Sequence, residues 1–213
     1  MKTKRKALLL TFCAVLLVVA SVLGTIAYLT ANDKVTNTFT VGQVAINLDE
    51  AKVNPDGTPV ANADRVKANS YKLLPGHTYT KDPTVTVLKG SESSYIKMTV
   101  TFTEAKELDD IFAPNGAKLN SIFKGYDSAN WIAKGNTENT TANTRTYEFW
   151  YKEAVGAPTA DVKLDALFDS ITVPSTINND QLKTIAGMTI TVNAYAIQAD
   201  GFETAKDAWD AFS

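Results

Sequence analysis

The stretch SYIKMTVTF, residues 94–102, sets Ile96, Met98, Val100 and Phe102 on one side of an extended chain and Tyr95, Lys97, Thr99 and Thr101 on the other. Successive side chains of a strand point to opposite faces, so a period of two describes a strand with one buried and one wetted face. The alternation returns in MTITVNAYAIQA, residues 188–199, with Met188, Ile190, Val192, Ala194 and Ala196 inward. Strands buried on one face belong to antiparallel sheets that cover one another. The expected fold is therefore mainly β, an antiparallel β-sandwich.

Other segments fill in this frame. In VTNTFTVGQVAINL, residues 35–48, Phe39 and Val41 share a face. Val44, Ile46 and Leu48 share one after a step at Gly42-Gln43, where a bulge would restore the register. Residues 49–70 are polar, and NPDGTP at 54–59 has turn chemistry, which reads as a loop or hairpin tip. A Pro-Gly turn at 75–76 precedes a strand with Val85 and Val87 inward and its threonines outward. TRTYEFWYKE, from residue 144, places Tyr147, Phe149 and Tyr151 on one face and Trp150 on the other. Helical spacing marks short helices over EAKELDDIF (104–112), LDALFDS (164–170), NNDQLKTIAG (178–187) and ETAKDAWDAF (203–212). AKGNTENTTANTRT, residues 133–146, reads as a solvated loop.

The N-terminus has a different character. MKTKRK carries four basic side chains, and no charge follows from Ala7 to Leu29. That run exceeds the roughly 20 residues that cross a bilayer. Signal peptidases read small residues at the first and third positions before the cut, and Thr25 and Ala27 occupy them, so cleavage would leave Tyr28 first. The expected division is a signal peptide over 1–27, forming an N-terminal signal helix, and a β-sandwich domain over 28–213. An uncleaved single-span anchor is the alternative, with the membrane touched only through that segment. The one cysteine, Cys13, lies inside the apolar run, so residues 28–213 have no disulfide and no thiolate chemistry. Removing four of the 21 basic side chains leaves 17 against 23 acidic, a net of −6, which argues against nucleic acid as a partner.

Catalytic chemistry finds little footing. A zinc protease commonly carries two histidines one helical turn apart, and this chain has a single histidine, His77, in the turn LPGHTYT. Neither HExxH nor GxSxG is present, and the neighbouring carboxylates Asp49-Glu50 and Asp109-Asp110 point to different sides of a strand or helix. No catalytic, cofactor-binding or metal-binding residues are assigned, and no cofactor is expected. Trp150, with Trp131 and Trp209, leaves open a sugar-binding platform against plain core packing.

GTIAYLT, VTNTFTVGQVAINLDE, LLPGHTYTKDPTVTV, SYIKMTVTF and TVNAYAIQADGF together resemble the TasA/camelysin family of exported proteins from Gram-positive bacteria. The resemblance covers both ends and most of the first half; residues 104–187 carry nothing diagnostic. It implies processing by a SipW-type signal peptidase, a jelly-roll form of the sandwich, and secretion into the extracellular matrix or cell surface as fibres of a biofilm. Some members bear the name camelysin, a surface metalloprotease, which makes that activity the alternative function beside a carbohydrate-binding adhesin.

Assembly needs no catalytic group. A sandwich lacking one strand exposes unpaired backbone groups and an open core that a strand from another molecule can fill. Residues 28–41 are the candidate donor, with Val35, Phe39 and Val41 as pocket-filling knobs, each stabilising by roughly 1.5–3 kcal/mol when fully buried. Head-to-tail donation does not close on itself, so it grows filaments. The same segment is otherwise the first strand of its own sandwich.

Overall fold

A computed structural model describes residue 6 and residues 11–17, 42–112 and 122–212. The chain divides into two units, Met1–Val41 and Gly42–Ser213. In the first, residues 11–17 are helical with exposed side chains; among the described residues no helix is long and apolar enough to cross a membrane.

The second unit is mainly β. Its strands are β1 (Ile46–Asp49), β2 (Thr78–Thr80), β3 (Thr84–Val87), β4 (Ser94–Thr103), β5 (Phe123–Lys124), β6 (Trp131–Asn139), β7 (Thr144–Tyr151), β8 (Val162–Lys163), β9 (Ser170–Thr172) and β10 (Ile190–Gln198). Its helices are α1 (Ala105–Phe112), α2 (Asn179–Thr184) and α3 (Ala205–Phe212). All pairings are antiparallel, in the orders β10-β4-β7-β6, β1-β3-β8 and β2-β9-β5. A jelly roll sorts eight strands into two sheets, whereas the described strands fall into three; the antiparallel sandwich-like packing is what the two share.

β4 is the centre of the largest sheet, and its alternation is realised in full. Ile96, Met98, Val100 and Phe102 are buried, and every intervening residue from Tyr95 to Thr103 is only half-buried. Across the ladder Met98 faces Phe149 and Val100 faces Tyr147, so aliphatic and aromatic groups meet in pairs. Phe123 of β5 stacks on Phe168 with ring centroids 4.2 Å apart, and Tyr79, Val85, Val87 and Ile171 bring the two smaller sheets onto the same cluster. One core thus joins all three sheets.

The helices close the ends. α1 buries Ala105, Leu108, Ile111 and Phe112, the spacing expected of it. α2 starts in a capping box, Asn178 accepting from the Gln181 N–H and Gln181 reaching back to the Asn178 N–H. Its chain then turns at Gly187, whose φ of +85° suits glycine. α3 lays Trp209 and Phe212 beside Lys97 on the outer face of the large sheet, with the Lys97 ammonium 4.6 Å from the Trp209 ring centre.

Three expectations are corrected. Residues 164–170 are not helical, although Leu164, Leu167 and Phe168 are all buried. Their backbone ties other elements together instead: Leu164 and Leu167 donate to Val85 and Pro83, and the Leu167 carbonyl accepts from Asp127. Residues 133–146 are not a loop but most of the β6–β7 hairpin, polar because β6 is a wetted edge strand. Thr84 is buried rather than outward, its hydroxyl accepting from Arg65 at 3.0 Å.

Candidate functional site: an open seam beside a free sheet edge

The four-stranded sheet has two edges, and they are built differently. β6 ends the sheet with a bulge between Ala133 and Gly135, and Lys134 sits in the bulge with its ammonium 4.1 Å from the Trp150 ring centre. A bulge with a lysine is the usual protection of an edge against further pairing. β10 has none. ITVNAYAIQ contains no charge, proline or glycine and runs nine residues in unbroken register with β4, and among the described residues no strand pairs with its other side.

Which groups face that side follows from the ladder. Thr103 donates to the Thr189 carbonyl at 3.1 Å and Ala199 donates to Ser93 at 2.7 Å. Bonded pairs alternate along an antiparallel ladder, so the odd-numbered residues of β10 bond to β4. The even-numbered ones, Ile190, Val192, Ala194, Ala196 and Gln198, direct N–H and C=O to the free edge. Ile190, Val192, Ala194 and Ala196 also turn their side chains toward the core, yet all four are only half-buried. Their cross-strand partners Phe102, Val100, Met98 and Ile96 are sealed. Among the described residues the core is covered less fully along β10 than along β4.

A groove of about 890 Å³ opens at the start of this edge. One wall is the end of β1 with residues 66–71 and Leu73; the other is Leu182 and residues 185–192, running from α2 into β10. Leu48, Leu73, Leu182, Met188, Ile190 and Val192 make it apolar, each packed against the core but not covered. The capping box of α2 positions Leu182, and the turn at Gly187 carries the chain into β10.

Part of the groove lining is polar. Glu50 and Lys81 are both buried and paired, Lys81 Nζ lying 2.7 Å from Glu50 Oε2. Asn69 donates from Nδ2 to Glu50 Oε1 at 3.0 Å and to the Ala51 carbonyl at 2.9 Å, and its Oδ1 accepts from the Val53 N–H at 3.0 Å. Next to them Arg65 bridges Asp49 and Asp82, reaching the latter at 2.7 Å. Burial pulls the Arg65 pKa down, but bonds from the Asp82 and Asp49 carboxylates outweigh it, so the net shift is upward. Burial, reinforced by the charge of Glu50, pushes the Tyr71 phenol well above its ordinary value. This cluster anchors residues 65–71, which contain no regular strand, to β1 and β2.

The residues singled out from sequence fall as follows. Thr25, Ala27, Tyr28, Val35, Phe39 and Val41 lie outside the described residues. His77 is exposed on its Pro-Gly turn, and among the described residues no three His, Cys, Asp or Glu side chains gather closely enough to hold a metal ion. Trp131 and Trp209 are buried, Trp131 donating from Nε1 to the Asp165 carbonyl at 3.1 Å, so only Trp150 offers a half-exposed ring. Sequence reasoning placed β10 and its inward residues but missed the seam, because an edge strand and a central one alternate alike. Compared with protein-family models, curated proteins and solved structures, the chain matches none.

Proposed function

We propose that the protein is a secreted structural subunit of extracellular fibres, assembled when residues 28–41 of one copy pair with the β10 edge of the next and fill the seam beside it. The observation that carries this reading is the coincidence, on β10, of backbone groups that no described strand pairs with and half-covered apolar side chains. An added strand satisfies both at once: its backbone continues the ladder and its alternate side chains enter the groove. Residues 28–41 are the occupant because VTNTFTV presents apolar side chains at strand spacing and stands directly before the Gly42–Ser213 unit, so each copy carries one donor and one acceptor. The resemblance to TasA and camelysin supports export through a SipW-type peptidase and a matrix location.

The test compares residues 28–213 with residues 42–213, the latter starting where the compact unit starts. Sedimentable fibres are expected from the longer form only. Equal yields from both would refute donation by this segment.

A further inference from the structure

We infer that Lys81 and Asn69 become joined by an intramolecular isopeptide bond, formed autocatalytically with Glu50 relaying the proton. A lysine and a glutamate buried together lose more in desolvation than their pairing ordinarily returns, so the pair calls for a chemical reason. Lysine is a nucleophile once it has given up a proton, and the third member of the cluster is an electrophile, the Asn69 carboxamide.

The hydrogen bonds orient all three groups. Glu50 holds Lys81 Nζ through one carboxylate oxygen and Asn69 Nδ2 through the other. The two oxygens of a carboxylate also match the two nitrogens of an N–C–N fork, as in its pairing with a guanidinium. Nζ, Cγ and Nδ2 become such a fork once Nζ has added to Cγ. The Val53 N–H already points at Asn69 Oδ1, where negative charge develops during the addition.

The step balances without any co-reactant. Glu50 takes a proton from the Lys81 ammonium, and the free amine attacks Cγ, moving the carbonyl electron pair onto Oδ1. Nζ passes its second proton to Glu50 as Nδ2 gains one from the Glu50 carboxyl. The Cγ–Nδ2 bond then breaks as the carbonyl re-forms, and the departing ammonia takes the proton left on Glu50, restoring its carboxylate. Lysine ammonium and asparagine amide become a secondary amide and ammonium ion, with no change of oxidation state. The bond would fasten the strandless segment 65–71 of the groove wall, which contains Asn69, to the end of β2.

Tryptic digestion of the full chain, analysed by mass spectrometry, tests this. Linked residues 68–72 and 73–89 are expected as one branched species, uncut after Lys81 and lighter than the two peptides together by about 17 Da, the mass of ammonia. Separate peptides 68–72 and 73–81 as the sole products would overturn the proposal. Glu50→Gln should abolish the link, and a link that persists in that variant would overturn the relay. The wild-type digest decides the matter even where the variant does not fold.

Discussion

Replacing Ala194 by proline separates the fold of the subunit from its assembly. The Ala194 N–H faces the free edge and takes no part in the β4 ladder, because Ala194 and Met98 form a non-bonded pair between bonded ones. Proline is tolerated on an edge strand where the lost donor points outward. An incoming strand, however, loses that donor and meets the ring, which displaces the adjacent bond as well. Two net hydrogen bonds at about 0.5–1.5 kcal/mol each amount to about 1–3 kcal/mol per subunit contact. At 1.4 kcal/mol per decade, the critical concentration for fibres should rise about 5- to 150-fold. The assay is sedimentation of residues 28–213 over a concentration series, with urea unfolding of the monomer as control. Asn193→Pro is the contrasting variant: it removes an N–H bonded to β4 and should unfold at lower urea. An Ala194→Pro protein that stays folded and polymerises at the wild-type critical concentration would refute assignment of β10 as the acceptor.

Two further outcomes follow from the packing. Arg145 is buried, forks onto Asp109 and reaches Glu138 at 3.1 Å; arginine is charged at every working pH, and the bond to the Asp109 carboxylate raises its pKa further. Arg145→Ala should therefore lower stability by about 1.5–3 kcal/mol, and Arg145→Lys, which keeps the charge but not the fork, should restore only part of it in urea titrations. Asn178→Ala removes the capping box of α2 and should cost about 1 kcal/mol. Since α2 carries Leu182 of the groove wall, the same variant should weaken fibre formation, read by sedimentation at fixed concentration.

The antiparallel fold was legible because its signal is local. The period of two in 94–102 and 188–199 states which face of each strand is inward; burial follows it residue by residue along β4, whereas along β10 Tyr195 and Ile197 are half-buried like Ala194 and Ala196. Helical spacing served for α1 and α3, whose apolar faces pack on the sheets, but misled at 164–170. There Leu164, Leu167 and Phe168 satisfy i, i+3, i+4 while their backbone bonds to β3 and to Asp127, a demand invisible in the side-chain pattern. The 133–146 hairpin was missed for the converse reason: an edge strand wetted on most sides has no apolar alternation to show.

Taken alone, the amino-acid order settled that the chain builds one-face-buried antiparallel strands, that its net charge is negative, and that no thiol or histidine pair is available beyond the apolar N-terminal run. Only the tertiary structure decided that β10 is an edge among the described strands, that its inward side chains are half-covered, and that Glu50, Asn69 and Lys81 meet in the lining of the groove. Alternation reports which way a side chain points, a property of neighbours along the chain. Whether anything stands beside the strand, and which distant polar groups share a pocket, depends on pairings between residues far apart in sequence, and these are set by the packing of the whole core.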